Sequence, residues 1–205
     1  MNHINEKIKD FIINLQPNTI LNFKDIFGNN NPITLEIGSG KGEFIATISR
    51  FHPERNFLGI ELKDKRICSI MKKLDINNNE NVRILKLYVD KDIKNYIERS
   101  SIDEIIIYHP DPWPKTRHRK HRLFQPDFLD AIHYLLKPNG WVKISTDDVN
   151  YVQWIVNLFN TRTDFVSKYD GMFTMIIPDN HLITYFDMLK STEGFDPYFM
   201  MYKAI

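Results

Sequence analysis

The sequence predicts an α/β fold built on a central, mostly parallel sheet with helices on both faces. Three observations carry this expectation. Segments of strand character alternate repeatedly with segments of helical spacing along most of the chain. A glycine turn, Gly38-Ser-Gly-Lys-Gly42, joins the first clear strand to the helix that follows it. The run 103–110, DEIIIYHP, is dense in β-branched residues and reads as a strand buried on both sides, as in a parallel sheet. The chain has 205 residues, 42% of them apolar. That suits a single domain, 1–205, with a full core, and leaves too little for two.

Taken in order, residues 3–15 place Ile4, Ile8, Phe11, Ile12 and Leu15 at helical spacing, and Pro17 ends that helix. GNNNP, 28–32, is a loop. ITLEI begins a strand at 33, and the helix after the glycines runs to about Ser49. NFLGIEL, 56–62, is a buried strand. Residues 63–74 put Ile67, Ile70, Met71 and Leu74 on one helical face. VRILKLYVD, 82–90, is a strand, and 92–100 a short helix. After the strand at 103–110 comes a helix over 124–140, closed by Lys137-Pro-Asn-Gly140. A strand at 141–147 and a helix at 150–159 follow. Two last strands, 164–169 and 198–204, flank TYFDML, 184–189.

Several classes are disfavoured. The apolar runs are far too short to span a bilayer. The first residues mix charge into apolar positions and lack a signal-peptide block. The single cysteine, Cys68, allows no internal disulfide framework; it reads as inert core, and the protein as cytoplasmic. The histidines are scattered and predict no metal site. Nothing in the sequence decides between a monomer and a homodimer. Formal net charge is only +1, but its distribution is uneven. Lys115 to Arg122 contains five Lys or Arg, two His and no acid, a footprint for an anionic partner.

The glycine turn admits three nucleotide-binding readings. A P-loop needs glycine at 35 and Ser or Thr after Lys41, whereas the chain has Leu35 and Gly42. A dinucleotide fingerprint needs glycine where Glu43 stands. The third reading, E-x-G-x-G-x-G from Glu36 through Gly38, Gly40 and Gly42, is the pattern of enzymes that use S-adenosyl-L-methionine. That cofactor carries no phosphate, and its ammonium and sulfonium are cationic, so an acid beside the turn helps. Glu61 ends the second strand, where a carboxylate can accept ribose hydroxyls, and Asp90 ends the third, within reach of the adenine edge. The competing reading is that all three are ordinary strand-end acids.

Directly after the buried strand comes HPDPWPKTRHRKHRL, 109–123. Its prolines fix φ and remove donors, so the loop is stiff and holds one carboxylate, Asp111, and one aromatic, Trp113, at the ligand edge. Trp113 either stacks on a base or packs under the loop, and the flanking prolines favour packing. The cations that follow, Lys115, Arg117, Arg119 and Arg122 among them, suit phosphates. A solvated basic loop is the alternative.

This stretch resembles the signature loop of the bacterial tRNA (guanine-N7-)-methyltransferases, and the likeness extends from about Pro32 to Lys203. The resemblance implies a Rossmann-like class I methyltransferase fold, with a mostly parallel seven-stranded sheet and an antiparallel C-terminal strand. It implies S-adenosyl-L-methionine as cofactor and methyl transfer to N7 of a guanine in the tRNA variable loop. By that likeness Glu36, Gly38, Gly40, Glu61, Asp90 and Asp111 contact the cofactor, and Asp111 is the residue named catalytic. Lys115, Asp147, Thr184 and Asp187 match substrate contacts, with Arg117, Arg119 and Arg122 on the backbone. Departures are His109 for the usual Phe, His121 for an Arg, and Asp187 for a Glu. Asp147 also reads as the cap of the helix beginning near Asp148. The rival functions are a methyltransferase for another RNA base, a non-catalytic RNA-binding relative and an NAD-dependent oxidoreductase.

Overall fold

The computed structural model describes residues 11–16, 19–178, 192, 194 and 196–205. Its strands are β1 (Ile12–Ile13), β2 (Ile33–Ile37), β3 (Asn56–Glu61), β4 (Val82–Lys86), β5 (Ile102–Tyr108), β6 (Leu136–Thr146), β7 (Phe165–Ser167) and β8 (Tyr198–Ala204). Between them run α1 (Phe23–Phe27), α2 (Glu43–Phe51), α3 (Asp64–Lys73), α4 (Pro126–Leu135) and α5 (Val149–Asn160). They form one sheet of order β1-β4-β3-β2-β5-β6-β8-β7. Every pairing from β1 to β6 is parallel, while β8 is antiparallel to both β6 and β7.

The expected seven strands are present, and β1 adds an eighth at the edge. Residues 12–13, placed by spacing in a helix, instead pair in parallel with Ile84 and Leu85. The physical reason lies in the faces they serve. Phe11 and Ile12 join the cluster under α2 and α3, whereas Ile13 joins the other core. An extended chain at the sheet edge feeds both sides, which one face of a helix cannot do. Residues 3–10 and Pro17 lie outside the described residues.

Burial follows the same two-sided logic. Phe57 and Ile84 belong to the α2–α3 cluster, and their neighbours Leu58 and Leu85 to the larger cluster that includes α4 and α5. All residues of β2 and β3 are buried, so the sheet centre is covered on both faces.

Several boundaries shift. The strand expected over 82–90 ends at Lys86, so Asp90 follows the strand rather than ending it. The short helix after β4 is a 3-10 turn, Lys91–Asn95, opened by the side chain of Asp90. The helix expected over 124–140 ends at Leu135, because Leu136 already pairs with Ile102 and the Pro-Asn-Gly segment forms an irregularity in β6. The strand expected at 164–169 is the shorter β7. Cys68, expected in the core, is exposed, since Ile67, Ile70 and Met71 hold the buried face of α3.

The chain runs outward from β2 through β3 to β4, then returns to the other side of β2 as β5 and β6. The strand order therefore reverses between β2 and β5, and a crevice opens outside their carboxyl ends. Gly38 follows β2, and Asp111 follows β5, so the topology brings the two motifs to one edge.

Candidate active site

The glycine turn is built from backbone conformations that side chains disfavour. Gly38, Gly40 and Gly42 have φ of +82°, +56° and +80°. The Gly38 and Ser39 amides both donate to the Ile60 carbonyl, at 2.9 and 3.0 Å, tying the turn to the end of β3. A methyl group on Gly38 would meet nothing within 4 Å, so this residue leaves open space on its side. One on Gly42 would lie 2.9 Å from Ile70 Cγ1, so there the glycine lets α2 lie against α3.

Glu61 stands at the end of β3 and is only 4% exposed. Its Oε2 accepts from the Gly40 amide at 3.0 Å, and Oε1 accepts from the amides of Leu62 and Lys63 at 2.8 and 2.9 Å. Arg66 Nη1 lies 3.6 Å away. These donors fix both oxygens and leave about one of the roughly four acceptor sites of a carboxylate for a ligand hydroxyl. Asp90 follows β4, and its Oδ1 accepts from the Asp92 amide at 2.8 Å.

Glu36, on β2, is 6% exposed, and its Oε2 is buried without a hydrogen-bond partner. Burial pushes its carboxyl up to about 7; the nearby Ser39 hydroxyl opposes the rise, and the charges of Glu43 and Glu61 add to it.

A cleft of about 520 Å³ is lined by Gly38, Glu61 and Asp90 and also by His109, Asp111 and Trp113. The carboxylates of Glu61, of Asp90 and of Asp111 on the proline loop thus share one space. Glu36 and Gly40 stand behind this lining, Gly40 through its bond to Glu61.

The loop itself is held in an unusual backbone. His109 and Trp113 have φ of +48° and +43°, a region other residues rarely adopt. Trp113 is 38% exposed, and its ring lies 5.8 Å from that of His118 and 5.4 Å from that of His121. It therefore packs by its edges and also faces the cleft. The basic run is a 3-10 segment, Thr116–His121. Lys115 and Arg117 are exposed and Arg119 is half-buried. Arg122 departs from the expectation of a solvent-facing run: it is 3% exposed, and its Nε donates to the Pro112 carbonyl at 2.8 Å.

Asp147 sits behind the cleft lining, with Oδ1 4.0 Å from His109 Nδ1. It does not cap the next helix. That cap is Asp148, whose carboxylate accepts from the Tyr151 amide at 2.8 Å. Thr184 and Asp187 lie outside the described residues. Sequence reasoning missed Arg66 beside Glu61, and it missed Tyr151 and Trp154, whose rings flank the Arg122 guanidinium at 4.9 and 5.1 Å. The Arg122 contacts join distant segments, and nothing local marks them.

Comparison with known proteins agrees with this fold. The fold is that of the structurally characterised methyltransferases: the 16S rRNA methyltransferase KamB superposes with a TM-score of 0.66 at 13% identity, covering 95% of this chain and 98% of that one. TrmN from Thermus thermophilus gives 0.58 at 15% identity over 85% and 45%. Residues 30–174 match the family described as "Putative methyltransferase". Curated tRNA (guanine-N(7)-)-methyltransferases align at 39% identity in Nitrosomonas europaea, over 69% of this chain and 63% of the relative. The enzyme of Lysinibacillus sphaericus aligns at 32%, over 84% and 80%. The chain belongs to the tRNA (guanine-N(7)-)-methyltransferase family, and methyl transfer is the chemistry of that family.

Proposed function

We propose that this chain uses S-adenosyl-L-methionine to methylate N7 of a guanine in the variable loop of tRNA, and that it does so in the cytoplasm. The observation that carries the reading is the single cleft lined by Gly38, Glu61, Asp90 and Asp111.

The residues present fit the cofactor. The unpartnered Glu36 oxygen beside the glycine turn suits a cationic amino-acid end, and the open side of Gly38 admits close approach. The remaining acceptor site of Glu61 suits a ribose hydroxyl, and Asp90 an adenine edge. Glu43 stands where a dinucleotide fingerprint needs its last glycine, which argues against a dinucleotide. When bound, the cofactor would supply an electrophilic methyl on a sulfonium; guanine N7 would bond to that methyl as the carbon–sulfur bond breaks with its electron pair staying on sulfur, and no proton has to be removed.

Catalysis by the protein is accordingly positioning and charge stabilisation rather than general-base chemistry. Asp111, on a loop with little freedom, opposes the positive charge that N7 methylation places on the base and holds the base edge. Asp147, Thr184 and Asp187 supply acceptors for guanine N1–H and its exocyclic amine, a pattern adenine lacks. Lys115, Arg117 and Arg119 bind the phosphate backbone without reading sequence. Incubating unmodified tRNA with methyl-labelled cofactor and analysing the nucleosides tests the reading. Label is expected in 7-methylguanosine, and label on any other base overturns the assignment.

A further inference from the structure

The last cation of the basic run does something the others do not. Lys115, Arg117 and Lys120 are exposed, whereas Arg122 is buried in the body of the protein. Its guanidinium lies over the rings of Tyr151 and Trp154, both on α5, at 4.9 and 5.1 Å. Its Nε donates to the carbonyl of Pro112, the residue after Asp111. Desolvation lowers its basicity, but arginine remains charged at any working pH.

The surrounding contacts make this a joint between two elements. Tyr151 Oη accepts from the Phe124 amide at 3.3 Å, and Trp154 Nε1 donates to the Phe124 carbonyl at 2.7 Å. Gln125 Nε2 donates to the carbonyls of Arg119 and Arg122, at 3.0 and 3.2 Å. Helix α5 starts one residue after its cap Asp148, and Asp147 comes just before. The clamp on Arg122 therefore connects the backbone that carries Asp111 with the helix whose entry carries Asp147. The loop also holds positive φ at His109 and Trp113, conformations that need external restraint to persist.

We propose that Arg122 is a positioning residue for methyl transfer: clamped between Tyr151 and Trp154, it holds the Pro112 carbonyl and so fixes Asp111 relative to the cleft, and it is no tRNA phosphate contact. Arg122 lines the cleft but is only 3% exposed, so its guanidinium has almost no surface left to offer an RNA backbone. Its planar fork stacks on both rings and donates along one edge, which the ammonium of lysine cannot reproduce. The catalytic part of this inference rests on methyl transfer at the Asp111 cleft.

Arg122→Ala and Arg122→Lys separate the two roles. A positioning role predicts that turnover falls by about 10- to 100-fold in both, since small misplacement of a reacting group costs that much. Affinity for tRNA and its salt dependence stay near wild type, as does cofactor affinity by calorimetry. Millimolar guanidinium chloride partly restores Arg122→Ala, while sodium chloride at the same ionic strength does not. A phosphate contact predicts instead a weaker tRNA complex, a salt slope reduced by about one and near-normal turnover at saturation; that result overturns the proposal, as does full activity in Arg122→Lys. Should Arg122→Ala fail to fold, Arg122→Lys carries the comparison.

A second readout needs no turnover. Amide hydrogen exchange over 110–122 is expected to be faster in Arg122→Lys, with the β2 and β3 amides unchanged. Unchanged exchange in the loop also overturns the proposal. If the wild-type protein does not methylate tRNA guanine, the functional reading fails, and the exchange comparison still judges the clamp by itself.

Discussion

Asp111 is exposed and lines the same cleft as Glu61 and Asp90. An exposed carboxylate can be removed at little structural cost, which lets its proposed role be tested. Asp111→Ala is expected to lower turnover by about 10²- to 10³-fold, the scale seen when a group facing developing charge is deleted. Cofactor affinity, measured by calorimetry, should change far less, and wild-type turnover in this variant would exclude the role. Glu36 makes a different prediction. Its carboxyl is raised from 4.5 to about 7, so the folded state favours the protonated form. The advantage of that proton is fully present below the unfolded value and lost as pH rises through about 7. Glu36→Gln removes this dependence, so its melting temperature relative to wild type should climb between about pH 5 and pH 8. A cation bound beside Glu36 favours its ionised form. Cofactor affinity of the wild type should therefore rise through about pH 7, and the rise should vanish in Glu36→Gln.

At the scale of elements, the glycine turn is placed by close packing as much as by its own φ values. Gly59, in the middle of β3, is where α2 and the turn approach the sheet: a methyl there would lie 2.6 Å from Ser39 Oγ, 2.8 Å from Ile45 Cδ1 and 2.9 Å from Ile84 Cδ1. Gly59→Ala is expected to destabilise the fold by about 1–3 kcal/mol, the usual cost of overpacking, as read by chemical denaturation. Because Ser39 must give way, cofactor affinity should fall as well. An unchanged denaturation midpoint would show that the turn can shift freely, contrary to its two bonds with the Ile60 carbonyl. On the opposite side of the switch point, the proline loop is restrained at its start by the His109 amide, which donates to the Ser145 carbonyl at 2.8 Å, and near its end by Arg122.

Over the whole molecule, near-neutral net charge coexists with a concentrated basic edge, so attraction for a polyanion is local. Binding of tRNA should weaken steeply with salt. Lys115→Ala and Arg117→Ala should each reduce the slope of log affinity against log salt by about 0.7 to 1, with base specificity unaffected. A slope unmoved by either substitution would mean that the exposed part of the run does not meet RNA. No helix among the described residues is long and apolar enough to cross a membrane.

Much of this was legible in the chain itself. Alternating periodicities fixed the α/β class, and the order of strand, glycine turn and helix marked one wall of the cleft. The proline-tryptophan loop marked another. These features are local: a backbone needing positive φ or fixed φ writes glycine or proline into adjacent positions, and a parallel strand buried on both faces writes a run of isoleucines. Tertiary structure alone decided the rest. It turned Ile12 and Ile13 into an edge strand, because both sides of the sheet claimed that segment. It moved the helix cap from Asp147 to Asp148, and it exposed Cys68. It also buried Arg122 between two rings that lie about 30 residues further along the chain. A sequence records which side chains exist and the local backbone they favour. Which of several equal-looking charges is withdrawn from water is settled only by the packing of distant segments around it.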